Sequence, residues 1–120
     1  MTGYILFAHG SSVESANEAV RNVAREAAER SGWTAWGTAF LGGGAPDLPG
    51  AVDALVVRGV RRLVIVPYFL TFGTHIERDL PLLVDRARRA HPHLAIKVTA
   101  PLDGHPGMVA AVMDRARESK

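Results

Sequence analysis

The segment Leu63-Val64-Ile65-Val66-Pro67 is unbroken, mostly β-branched and apolar. Such a run suits a strand buried on both faces, and that kind of strand belongs to a parallel sheet covered by helices. Tyr4-Ile5-Leu6-Phe7-Ala8 has the same character, residues 33–41 read as a less apolar strand nearer an edge, and residues 95–99 as a fourth. A helical pattern follows each of them. Val13, Ala16, Val20, Val23, Ala24 and Ala27 recur at three and four, which predicts a helix over about 13–30 with that stripe inward, stopped by Ser31-Gly32. Ser11 and Glu14 have capping-box spacing at its start. Asp47 caps a short helix with Pro49 in its first turn and Gly59 at its close. Leu80, Leu83, Val84 and Ala87 mark a third helix capped by Asp79, with Pro92 beyond its end. Val109, Val112, Met113 and Ala116 mark the inward face of a last helix over 108–118.

Strand–helix alternation four times over predicts an α/β fold. It is a single three-layer domain spanning 1–120, with a four-stranded parallel sheet and helices on both faces. At 120 residues the chain is long enough to bury its own core. It has no cysteine, which excludes disulfides, thiolate metal sites and a cysteine nucleophile. No apolar run approaches the roughly 20 residues that span a bilayer, and because the sequence opens on a strand-like segment rather than a basic stretch, no signal peptide is expected. The expectation is a cytoplasmic protein without a membrane partner.

Charge is divided unevenly. Residues 1–60 carry four Arg against six acids, and residues 61–120 carry ten Lys and Arg against six acids. Solvated helix faces account for this; so would a mildly basic face for an anionic small molecule. Aromatic residues do not interleave with the basic ones, so no nucleic-acid partner is expected.

Ligands of parallel sheets sit beyond the carboxyl ends of the strands. His9 directly follows the first strand, and His75 lies in the loop after the third. Neutral imidazoles ligate divalent transition metals and accept protons near neutral pH. A lone loop histidine is ordinarily just hydrogen-bonded; two on one rim are a stronger signal. Of the others, His91 and His93 flank Pro92 in a solvated turn, and His105 before Pro106 suits a helix cap. Gly10-Ser11-Ser12 opens a helix whose N-terminus could hold a carboxylate or phosphate, or simply be well capped. Dinucleotide, P-loop and hydrolase-elbow motifs are absent.

Phe7-Ala8-His9-Gly10-Ser11, Ala39-Phe40-Leu41, Val66-Pro67-Tyr68-Phe69-Leu70, Gly73-Thr74-His75 and Asp79-Leu80-Pro81, in register with Pro101-Leu102, resemble the small, single-domain sirohydrochlorin chelatases of CbiX type. The resemblance implies ATP-independent insertion of Co²⁺, Ni²⁺ or Fe²⁺ into sirohydrochlorin or a related tetrapyrrole. The metal is then a substrate, with no tightly bound cofactor. It assigns His9 and His75 to metal and proton handling, and Gly10, Ser11, Ser12, Phe69, Leu70, Gly73 and Thr74 to the macrocycle, with Arg78 near its carboxylates. Larger members resemble two such units in one chain, so a homodimer is expected here. Many relatives carry an acid where this chain has Gly42. A non-catalytic tetrapyrrole or metal carrier is the alternative. A histidine phosphatase is more distant, because Ala8 stands where those enzymes need arginine.

Overall fold

The structure is a computed structural model that describes residues 1–70 and 73–118, the side chain of His75 apart. The Phe72 of the expected third loop lies outside the described residues. The element order is β1 (Thr2–Ala8), α1 (Glu14–Ser31), β2 (Trp36–Phe40), α2 (Leu48–Val57), β3 (Arg62–Tyr68), α3 (Thr74–Ala90), β4 (Ala95–Val98) and α4 (Pro106–Arg117). The four strands form one parallel sheet in the order β2-β1-β3-β4. The two most apolar runs, β1 and β3, are the central strands, as burial on both sides requires.

Side chains alternate across a strand, so each strand presents two faces. Ile5, Phe7, Leu63 and Ile65 point to one face, where α2 and α3 cover them to 1% exposure or less. Leu48, Val52, Leu55, Ile76, Leu80 and Val84 complete that core. The opposite face is different. There α1 lies across β1 and β2, and Tyr4, Leu6, Val64 and Val66 remain partly exposed.

Local signals set several boundaries. Gly32 ends α1 in the left-handed conformation at φ 72°, where a side chain would be strained. Asp47 accepts a hydrogen bond from the Gly50 N–H at 2.9 Å and caps α2. His105 caps α4 in the same way, accepting from the Gly107 N–H at 2.8 Å.

Other boundaries and faces differ from expectation. The capping box does not form: Val13 is the N-cap of α1, and the Ser11 hydroxyl accepts the Val13 N–H at 3.0 Å one step earlier. The buried line of α1 runs through Asn17, Ala24 and Ala28, leaving Val13, Ala16 and Val23 exposed. Asp79 does not cap α3, because buried Ile76 draws the helix back to Gly73 and leaves Pro81 inside it. Thr74 and His75 are therefore in the first turn of α3, not in a loop. His91 is not simply solvated, for its Nε2 pairs with Asp53 Oδ1 at 2.7 Å. Most consequentially, no residue of α4 is buried, so Val109, Val112, Met113 and Ala116 do not face inward. Among the described residues the α4 backbone approaches no other helix or strand, and the molecule measures 53 × 33 × 27 Å.

Ile65 is fully buried in central β3, and its truncation leaves a cavity that strand backbones cannot close. Ile65→Ala is expected to lower unfolding free energy by about 2–5 kcal/mol, read as a lower urea midpoint with the slope unchanged.

Candidate functional site

The parallel arrangement brings the carboxyl ends of β1 and β3 side by side, with Ala8 paired to Tyr68. His9 follows Ala8 directly, and its side chain is exposed at this rim. One neighbour orients its ring. Phe69, just past β3 and 8% exposed, meets His9 edge to face with centroids 5.7 Å apart. Phe69 in turn packs edge to face on Phe7 at 6.0 Å, which links the rim to the core. Among the described residues, the hydrogen-bonded histidine rings are those of His91 and His105, not His9. The imidazole of His9 thus faces solvent with its nitrogens open to a metal ion or a proton.

The loop after β2 is held close beside the loop after β1. Leu41 N–H donates to the Ala8 carbonyl at 2.9 Å and Gly42 N–H to the His9 carbonyl at 3.0 Å, so the two loops stay hydrogen-bonded just past the end of the strand pairing. Gly10 has φ +87°, and a Cβ there would fall 1.7 Å from the Gly42 carbonyl oxygen. Gly43 is left-handed too, and its Cβ would meet the Ser11 backbone at 2.8 Å. The run of glycines is therefore not the flexible loop its composition suggests; it is the condition for two backbones to touch. Gly42 itself is the exception, with nothing within 4 Å of an added Cβ.

A buried amide secures this junction. Asn17 is 1% exposed, and its Oδ1 accepts the Ser11 N–H at 2.9 Å. Its Nδ2 donates to the carbonyls of Ser11 at 2.9 Å and Gly43 at 3.2 Å, and to Glu14 at 3.3 Å. One turn later, Arg21 lies over the Phe40 ring at 5.3 Å and reaches both Glu14 and the Ala45 carbonyl. The Arg21 guanidinium, and after it the Asn17 amide, hold the Glu14 carboxyl below its usual range. Neither Asn17 nor Arg21 was singled out from sequence. The available signal was an amide on the same helical line as Ala24 and Ala28.

The remaining predicted residues fall at the same end of the sheet. Ser11 has its N–H committed to Asn17, whereas Ser12 and Leu70 are exposed and Gly73 is the N-cap of α3. Thr74 and His75 occupy the first turn of α3, with the side chain of His75 outside what the structure describes. Arg78 sits at the next turn, 3.6 Å from Asp79. Among the described residues no three His, Asp or Glu side chains gather around one point. Two concavities lie elsewhere: a cleft of about 390 Å³ beside Val60 and His91, and a groove of about 620 Å³ between α3 and β4.

Comparison with known proteins decides the family, since the CbiX family matches residues 3–119. The chain belongs to the CbiX family. A CbiX crystal structure from Marinobacter aquaeolei, described as a cobalamin (vitamin B12) biosynthesis protein, superposes with a TM-score of 0.87 at 27% identity, covering 99% of this chain and 97% of that one. The sirohydrochlorin chelatase SirB of Bacillus subtilis subspecies spizizenii, in complex with cobalt, shares the fold at a TM-score of 0.90 and 22% identity, over 98% of this chain and 50% of that one. In sequence, the chloroplastic sirohydrochlorin ferrochelatase of Arabidopsis thaliana is 28% identical over 94% of this chain and 50% of its own length. The sirohydrochlorin cobaltochelatase of Priestia megaterium is 28% identical over 98% of this chain and 38% of its own length. This CbiX chain thus spans about half, or less, of the length of these curated relatives. No helix among its described residues is long and apolar enough to cross a membrane.

Loss of the Asn17 amide would remove the partner of the Ser11 N–H and of two carbonyls at a half-buried junction. Asn17→Ala is expected to cost about 1–3 kcal/mol by chemical denaturation, whereas exposed Ser12→Ala should stay within about 0.5 kcal/mol.

Proposed function

We propose that this chain inserts a divalent metal ion into sirohydrochlorin, without ATP, as a step of tetrapyrrole biosynthesis of the cobalamin or sirohaem type. The observation that carries the reading is the exposed imidazole of His9, aimed by Phe69 at the rim beyond β1 and β3 in a chain of the CbiX family.

The chemistry asks little of the protein. A divalent ion enters the ring, two pyrrole N–H protons leave, and the products are the metallated ring and two protons. The protein must deliver a partly dehydrated ion to one ring face and take up the released protons. His9 and His75 perform both tasks in this reading: neutral imidazole ligates the ion weakly enough to hand it on, and free imidazole accepts a proton. The flat ring lies on the shelf formed by Gly10, Ser11, Ser12, Phe69, Leu70, Gly73 and Thr74. Its carboxylates take hydrogen bonds from the serine hydroxyls and the α3 N-terminus, with Arg78 as a charged neighbour. A shelf is one wall of a cleft, and a second copy of the chain supplies the other. The metal is Co²⁺, Ni²⁺ or Fe²⁺, chosen by supply and geometry more than by the affinity of two imidazoles.

Anaerobic mixing of the protein, sirohydrochlorin and each metal tests the reading by visible spectroscopy. The expected result is metallation faster than in the protein-free mixture with at least one of the three ions. No acceleration with any of them overturns it, and stoichiometric binding without turnover would make the protein a carrier. His9→Ala and His75→Ala are each expected to lower the initial rate roughly a hundredfold. Full activity in both would remove the two histidines from the reaction.

Gly42 donates its N–H to the His9 carbonyl and has nothing within 4 Å of an added Cβ, so an acid there can project without disturbing the backbone. Gly42→Glu is expected to raise the initial rate of metallation by supplying a further proton acceptor. An unchanged rate in the same assay would mean that the histidines suffice.

A further inference from the structure

The loops after β1 and β2 are closed into a ring by one side chain. The loop after β2 is shut at its base, where Phe40 N–H donates to the Pro46 carbonyl at 2.9 Å. Within it, Gly42 N–H reaches across to the His9 carbonyl at 3.0 Å. One residue on, the Gly43 carbonyl accepts from Asn17 Nδ2 at 3.2 Å. The same amide accepts the Ser11 N–H and donates to the Ser11 carbonyl, both at 2.9 Å. The path from His9 through Gly42, Gly43, Asn17, Ser11 and Gly10 therefore returns to His9. Asn17 belongs to α1 and is 1% exposed, so this ring is anchored on a packed helix. The opposing loop leaves room for the amide. A Cβ on Gly44 would come 2.9 Å from Asn17 Nδ2 and 3.1 Å from its Cγ. Gly44 is not left-handed, so it is space and not conformation that a side chain there would violate.

We infer that Asn17 is a positioning residue for metal insertion, its amide fixing the spacing between His9 and the Ser11–Ser12 segment. In the proposed function, on which this rests, His9 handles the ion while Ser11 and Ser12 hold carboxylates of the ring. Ion and ring are then carried by neighbouring residues of one loop, with left-handed Gly10 between them. Glycine by itself prefers no one conformation, so the spacing needs an external constraint. Asn17 supplies it by engaging both backbone polar groups of Ser11 and tying them to the strand that holds the His9 carbonyl. Without the amide, the Ser11 hydroxyl bond to Val13 N–H is the tie to the start of α1 that remains. A misplacement of about 1 Å between reacting groups costs roughly a hundredfold in rate. The carboxylates keep other partners at the α3 N-terminus, so a loosened Ser11 still leaves the ring bound. What is lost is alignment of ion and ring, and such a loss falls on kcat more than on KM.

Two variants disturb the amide by different routes. Asn17→Asp keeps its shape and acceptor oxygen but removes the amide donor, and Gly44→Ala keeps the amide and presses on it. Each is expected to lower kcat for metallation about tenfold or more, with KM for sirohydrochlorin within about threefold of the parent. In each, NMR should show the Gly42 N–H exchanging with deuterium about fivefold faster or more, because its bond to His9 is part of the ring. Leu63→Ala is the comparison. It empties a core position 1% exposed, at the end of β3 away from the rim, and lowers stability without touching the loops. It should leave both kcat and Gly42 exchange unchanged when all chains are assayed well below their urea midpoints. Should Asn17→Asp fail to fold, Gly44→Ala carries the test. Full kcat despite faster Gly42 exchange overturns the proposal, as does unchanged exchange or an equal loss of kcat in Leu63→Ala. A parent protein that metallates with none of the three ions removes the proposed function, whereas Gly42 exchange still decides whether Asn17 sets the spacing.

Discussion

The buried amide of Asn17 bridges two loops that come from different strands, and the geometry of the rim depends on that bridge. Its oxygen takes the Ser11 N–H, while its nitrogen supplies the carbonyls of Ser11 and Gly43. A buried peptide group without a partner is costly, so these bonds are worth more as satisfaction than as net attraction. With both loops tied to one side chain, Leu41 and Gly42 donate their N–H groups to the carbonyls of Ala8 and His9. The His9 carbonyl is thereby held by Gly42, and its ring rests against Phe69.

Precision at this junction requires close approach, and close approach requires glycine. Gly10 and Gly43 are left-handed and meet opposing backbone at distances no Cβ could occupy. Gly42, between them, is under no such demand. The absence of an acid at that position is thus not imposed by sterics.

Covering the sheet asymmetrically has a second consequence. On one face α2 and α3 seal the core, with Ile5 and Ile65 fully buried. On the other, α1 serves β1 and β2, and the apolar residues of β3 remain partly in water while α4 stands apart.

Read alone, the amino-acid order determined the four strand–helix units, the central place of the two most apolar strands, the caps at Asp47 and His105, and His9 at the end of β1. These follow from local chemistry: period, turn residues and short-range hydrogen bonds. Tertiary structure decided what depends on neighbours distant in the chain. It turned α1 so that Asn17 and not Val13 faces inward, because an amide at that point could satisfy both the Ser11 loop and Gly43, 26 residues further along the chain. It began α3 at Thr74, placing His75 in a helix, because Ile76 could be buried. It paired His91 with Asp53, 38 residues away. And it left α4 without a face to pack on, although the apolar spacing of Val109, Val112 and Met113 reads as a core-facing stripe. Periodicity records that a helix has an apolar side; which surface that side meets is settled by the arrangement of everything else.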